Sequence, residues 1–181
     1  MFAYKNDHFT IKPISPDERH VVNNLLERSI ERWQLAPRAK RLAASALAYR
    51  EDDFKRMHFV GAFDFGSKLQ GFASIEFDAN VSSRCELHGL YVDPIAQGHG
   101  VGSALLKHVI DEMLPGTVTS LEARAHRTSK FFFLERDFIL VELNGLEPCR
   151  IRRSIAPSAQ FPKNTKDDVK SYFTRPLINE Y

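Results

Sequence analysis

Residues with the types and spacing for chemistry gather in two neighbouring stretches. One is Gln97-Gly98-His99-Gly100-Val101-Gly102, where three of the nine glycines fall within five residues. Glycine adopts backbone conformations closed to other residues and lets a ligand approach main-chain N–H groups. An apolar-periodic segment follows, which puts those donors at a helix start. There the free N–H groups and the helix dipole favour an anion, above all a phosphate. A plain tight turn would use the same glycines. Two phosphate-binding patterns fail. A P-loop closes on Gly-Lys-Ser/Thr, whereas Gly102-Ser103-Ala104 stands here. A dinucleotide fingerprint needs a third glycine at Ser103 and glycines directly after a strand, but Asp93-Pro94-Ile95-Ala96 intervenes. Glu122, 20 residues beyond Gly102, has the spacing of a ribose-binding acid without the rest of that pattern. The other stretch carries Glu86 and His88. Strand alternation places both on one face with Leu90, a bulge permitting, where they suit proton transfer.

The elements that must position these groups follow from periodicity. His8 to Ile14 alternates and reads as a strand, at a sheet edge because of Pro13. Ser15-Pro16-Asp17-Glu18 starts a helix that carries Val21, Val22, Leu25, Leu26 and Ile30 to about Trp33. A second helix begins near Ala36-Pro37, with Leu42, Ala43, Ala46 and Leu47 on one side. Strands over 58–63 and 69–77 form a hairpin about Phe65-Gly66-Ser67-Lys68. Cys85 to Val92 is a strand that Asp93-Pro94 breaks. Gly100 to Met113 is a helix with Val101, Leu105, Val109 and Met113 in its apolar stripe. A strand over 118–123, a short helix over 129–136 and a strand over 138–143 come next. Asn144-Gly145 then signals a hairpin into a strand over 149–155. Residues 1–155 are expected to form one domain, and 156–181 a tail on its surface. Strands mixed with helices make the class α/β or α+β.

Composition narrows the function. The chain has 181 residues, 43% apolar and 27% charged, with a net charge of +2. That supports one sizeable core and gives no electrostatic footprint for nucleic acid or an anionic membrane. No 18 successive residues are apolar, and the first residues lack a signal sequence. Cys85 and Cys149 form neither a disulfide framework nor a Cys-x-x-Cys pair, which suggests reduced thiols and a cytoplasmic location. No His/Cys cluster has metal-ligand spacing.

The whole stretch from Glu86 to Leu106 resembles the acetyl-coenzyme A motif of the GNAT superfamily of N-acetyltransferases. Gln97, Gly100 and Gly102 stand at the positions of its Gln/Arg-x-x-Gly-x-Gly/Ala loop. The Leu90-Tyr91-Val92-x-Pro94 lead-in and Leu105-Leu106 match as well. Downstream, Phe132-Phe133-x-x-x-Asp137-Phe138 resembles the family's Phe-Tyr-x-x-x-Gly-Phe element. The resemblance spans about residues 57–155. It implies a mixed, mostly antiparallel sheet of about six or seven strands with about four helices. It also implies that the strand from Glu86 to Val92 splays from its neighbour, leaving backbone near Leu90 and Val92 to pair with pantetheine. Gln97, Gly98, His99, Gly100, Val101, Gly102 and Ser103 would cradle the pyrophosphate. Tyr91, Ser129, Phe132 and Phe133 complete the expected acetyl-coenzyme A site, and Arg127 and Lys130 are placed to meet the 3′-phosphate. Trp33 and Tyr49 lie where the family builds its acceptor site.

Acetyl transfer sets chemical demands. An ammonium of reference pKa about 10.4 must lose a proton before its nitrogen can attack. The resemblance gives that task to Glu86, through a water, with His88 as the alternative base or a substrate contact. The departing thiolate benefits from an acid, and here the chain departs from the family, because Phe133 replaces the usual tyrosine. His126 or Ser129 could supply the proton, or the thiolate could leave to solvent. The implied activity is transfer of acetyl from acetyl-coenzyme A to a primary amine, small or protein-borne, by direct attack in a ternary complex. A homodimer is common in the family. The rival reading, which Phe133 keeps alive, is a non-catalytic acyl-coenzyme A sensor.

Overall fold

In the computed structural model, which describes residues 4–6, 8–126, 128–141 and 148–156, the alternating segments pair into a single sheet. Its strands are β1 (Tyr4–Asn6), β2 (Phe9–Pro13), β3 (His58–Phe63), β4 (Leu69–Phe77), β5 (Arg84–Val92), β6 (Ser120–Ala125), β7 (Ile139–Leu140) and β8 (Cys149–Ser154). They lie in the order β1-β2-β3-β4-β5-β6-β8-β7. Every pairing is antiparallel except β5 with β6. This is the mixed, mostly antiparallel α/β fold expected, with β1 added to the seven strands read from the sequence.

Helices α1 (Arg19–Glu31), α2 (Pro37–Leu47), α3 (Glu51–Arg56), α4 (Val101–His108) and α5 (Lys130–Leu134) flank the sheet. A capping box at Ser15 and Glu18 starts a 3-10 turn over Pro16–Glu18 that leads into the first, through the Ser15 N–H bond to Glu18 Oε2 at 2.9 Å. α4 runs into a π-helical turn over Val109–Met113, closed by the Leu114 N–H to Val109 O bond. Two apolar cores result. One seats α4 through Val101, Leu105 and Leu106 against Ala73, Leu87 and Leu121. The other seats α1 through Val22, Leu25, Leu26 and Ile30 against Phe59, Phe63 and Phe72. Each fully buried Val or Leu of this kind stabilises by roughly 1.5–3 kcal/mol.

Several expectations change in detail. β2 is not an edge strand, since β1 pairs with Phe9 through Ile11. Pro13 lies beyond that pairing, so its missing donor is lost only on the uncovered side. In α2, Ala43 and Ala44 touch the core, whereas Leu42 and Leu47 are 63% and 40% exposed. The Asn144-Gly145 hairpin signal, Arg127 and the tail from Pro157 fall outside the described residues.

Candidate functional site

β5 and β6 run side by side only from Arg84–Leu87 against Ser120–Ala123. Beyond Leu87, β5 stays on β4 as far as Val92, while Arg124 and Ala125 pair with β8. The two central strands therefore part. The divergence begins at a bulge, where Ser74 faces Gly89 and Ile75 faces Leu87, leaving His88 as the extra residue. Gly89 is required beside it. A Cβ there would lie 2.3 Å from the Tyr49 hydroxyl, which bonds to Ser74 Oγ at 2.7 Å.

The loop after β5 is anchored from α1. Arg28 grips the buried Asp93 carboxylate through Nη2 at 2.7 Å and Nε at 2.9 Å. Ser29 Oγ donates to the Val92 carbonyl at 3.2 Å, and Gln97 Nε2 reaches the same oxygen at 3.4 Å. The Val92 carbonyl is thus engaged rather than open to pantetheine. Gly98 and Gly100 have φ of +80° and +79°, conformations that side chains rarely tolerate, and both face open space. Gly100 caps α4, so the N–H groups of Val101, Gly102 and Ser103 have no partner within the helix.

These donors border a cleft of about 400 Å³. Of the residues read from the sequence, Val92, Gln97, Gly98, Gly100, Val101, Gly102, Ser103 and Phe132 line it. Leu90, Tyr91, His99, Ser129 and Phe133 are not in its wall. Leu90 packs towards the α4 core and Tyr91 tilts against Phe72. Ser129 Oγ donates to the His126 carbonyl at 3.0 Å. Phe133 is buried, edge-on to Phe132 and Phe138. Arg136, which sequence reasoning passed over, also lines the cleft. Its guanidinium lies 4.0 Å from the Phe132 ring centre, and it donates to Ser103 Oγ at 2.8 Å and to the Phe132 carbonyl at 2.6 Å. Its Nη1 also lies 3.7 Å from Glu135 Oε2, and beside the positive end of α4 the guanidinium favours a further anion in the cleft. Its signal was a basic residue four positions after Phe132, one α5 turn on.

The proton-transfer candidates sit on the α1–α3 face. His88 is exposed, with Nε2 at 3.0 Å from Glu76 Oε2 and 4.0 Å from Glu86 Oε2. His126, at the end of β6, stacks on Trp33 with ring centres 5.2 Å apart, joining the chain after α1 to the far lip of the opening. Glu122 is held by Arg150 at 2.9 Å. Burial pushes the Tyr91 phenol up to about 12 and the Tyr49 phenol higher still, which makes both weaker acids than a free tyrosine. Burial also raises the Cys85 thiol to about 12. Among the described residues, no group of three His, Cys, Asp or Glu could hold a metal ion, and no helix is long and apolar enough to cross a membrane.

Comparison with known proteins agrees with this geometry. The family model described as the acetyltransferase (GNAT) family matches residues 22–136. No curated protein matches the chain. Among solved structures, the fold is similar to PaiA N-acetyltransferase from Thermoplasma acidophilum in complex with coenzyme A. That pair has a TM-score of 0.70 and 17% identity, covering 81% of this chain and 98% of the other. A GCN5-related N-acetyltransferase from Rhodopseudomonas palustris is similar at a TM-score of 0.66 and 20% identity, over 83% and 98% of the two chains. N-acetylglutamate synthase from Neisseria gonorrhoeae, complexed with coenzyme A and N-acetyl-glutamate, gives 0.61 and 23% over 84% of this chain and 36% of that one.

Proposed function

The chain belongs to the acetyltransferase (GNAT) family, and from that premise we propose that it moves acetyl from acetyl-coenzyme A onto a primary amine by direct attack in a ternary complex. The observation that carries this reading is the parting of β5 from β6 beside a loop whose Gly98 and Gly100 hold positive φ around an open cleft. Pyrophosphate suits the N–H groups of the loop and the first turn of α4, with Arg136 supplying the countercharge. The thioester then lies along the free side of β5, where Leu90 offers backbone groups and Phe132 an apolar wall.

On the α1–α3 face, Glu86 and His88 draw in a cationic amine and take its proton. Loss of that proton exposes the nitrogen lone pair for attack on the thioester carbonyl. The carbon–sulfur bond breaks as the amide forms, and the nitrogen's second proton passes to the thiolate. No described tyrosine is a good acid at this point, so the thiolate leaves with a proton from the reaction itself or from water. Buried Cys85 supports a reducing, cytoplasmic setting.

Calorimetric titration with acetyl-coenzyme A, with NAD as control, tests the cofactor. Micromolar binding of acetyl-coenzyme A alone is expected, and release of free thiol on adding primary amines tests transfer. Absence of binding would overturn the proposal. Binding without transfer to any amine would leave an acyl-coenzyme A sensor.

A further inference from the structure

We propose that Glu76, on β4, is a positioning residue for the transfer, its carboxylate beside His88 setting which ring nitrogen of that imidazole receives the acceptor's proton. The inference rests on the acetyl-transfer reading above and adds to it a residue and a direction for the proton. Glu76 stands directly opposite Glu86 in the β4–β5 register. The bulge one step further along gives β5 its extra residue, and this brings the His88 ring over the pair of carboxylates. Its Nε2 is 3.0 Å from Glu76 and 4.0 Å from Glu86.

A carboxylate accepts and cannot donate, so its charge 3.0 Å from Nε2 favours the tautomer with the hydrogen on that nitrogen. Nδ1 is then the basic nitrogen of the neutral ring, and no hydrogen-bond partner among the described residues reaches it. Glu76 is itself held. Arg56, at the end of α3, places Nη1 at 3.1 and 3.4 Å from its two oxygens and Nη2 at 2.8 Å from Asp53. As a tie between helix and sheet this exposed pair contributes little. As an orienting chain from Asp53 through Arg56 and Glu76 to His88, it presents one ring nitrogen to the amine.

The step balances simply. The ammonium gives one proton to His88 Nδ1, the neutral amine attacks, and the imidazolium, steadied by Glu76, later returns its proton to water. Glu86 is nearly half exposed and stands farther from the ring, so it contributes attraction for the cation.

The test combines ring 15N spectra of His88 with kinetics of Glu76→Gln, Glu76→Asp, His88→Gln and the Glu76→Gln/His88→Gln double variant. In the wild type at a pH where the ring is neutral, the spectra are expected to report hydrogen on Nε2, and Glu76→Gln to mix the two tautomers. For Glu76→Gln, kcat is expected to fall about 10²-fold, the low end for a positioned base, with KM for acetyl-coenzyme A unchanged. Glu76→Asp should recover part of the loss, and the double variant should be no slower than His88→Gln alone. A wild-type kcat in Glu76→Gln, losses that multiply in the double variant, or a wild-type ring protonated on Nδ1 would each overturn the inference. If the wild type binds acetyl-coenzyme A and acetylates no amine, the transfer reading fails, and the spectra still decide the tautomer.

Discussion

Replacing Gly100 by Ala and, separately, Gly102 by Ala contrasts two glycines of one loop that do different work. Gly100 has φ +79°, where an L residue costs about 1–2 kcal/mol. The narrower unfolded ensemble of alanine favours folding only where φ is allowed, and at this left-handed φ the strain outweighs it. Nothing lies within 4 Å of the new methyl, so the cost is backbone strain without collision. Gly102 has no positive φ, and its added Cβ meets Val92 and Phe132 at 3.4–3.5 Å, ordinary contact. For a chain of this length, 1 kcal/mol moves Tm by about 2–4 °C. Gly100→Ala should therefore melt about 2–8 °C lower, and Gly102→Ala, whose helical φ suits alanine, about 1–4 °C higher than wild type. Binding separates them further. Relaxing the strain turns N–H groups away from the phosphate position, and each lost bond to a charged oxygen costs about 1.5–3 kcal/mol, or roughly 10- to 100-fold in Kd. Thermal melting and calorimetry with acetyl-coenzyme A read both effects. Equal losses from the two variants, or full affinity in Gly100→Ala, would refute the assignment of the left-handed glycines to the cradle.

Removing the guanidinium with Arg136→Ala should weaken acetyl-coenzyme A binding about tenfold and flatten its dependence on salt; unchanged titrations would take Arg136 out of the cofactor site. Alkylation of the native protein at pH 8 should modify half-buried Cys149 and spare Cys85, whose thiol burial holds near 12 and hence uncharged; mass spectrometry of the peptides gives the result, and equal labelling would contradict the burial. Burial lowers the His108 pKa, so the unfolded chain binds a proton that the folded one resists. Stability from this group is present above the unfolded value of about 6.5 and falls as pH drops below it. His108→Leu should make denaturant midpoints less sensitive to acid between about pH 7 and 5, and an unaltered pH slope would count against that account.

Legibility in the sequence followed how local each signal is. The glycine loop, the proline that ends β5 and the α4 stripe are written in neighbouring residues, and each stands where its pattern points. Leu42 misled because an apolar stripe identifies a helix face without saying whether the sheet extends far enough to cover it. α3 was missed because its six residues, Glu51 to Arg56, include one apolar side chain, Phe54, and hold their turn by Asp53 bonding back to Arg50. Glu76 could not be singled out, since its nearness to His88 depends on the register of two strands and on a bulge within it. Arg28 and Asp93, 65 positions apart, meet only once α1 has packed on the sheet.

The parting of β5 from β6 has a mechanical side as well. The sheet is two stiff panels, β1 to β5 and β6 to β7, hinged along the four residue pairs from Arg84 to Leu87. Amides on the open side of His88 to Val92 rely on water instead of a neighbouring strand, so they exchange with solvent faster than those of the hinge. A ligand that lays its own amides along that margin acts as a temporary ninth strand. Occupancy then stiffens the molecule across its middle and slows its unfolding, which ties the protein's lifetime to the supply of its cofactor.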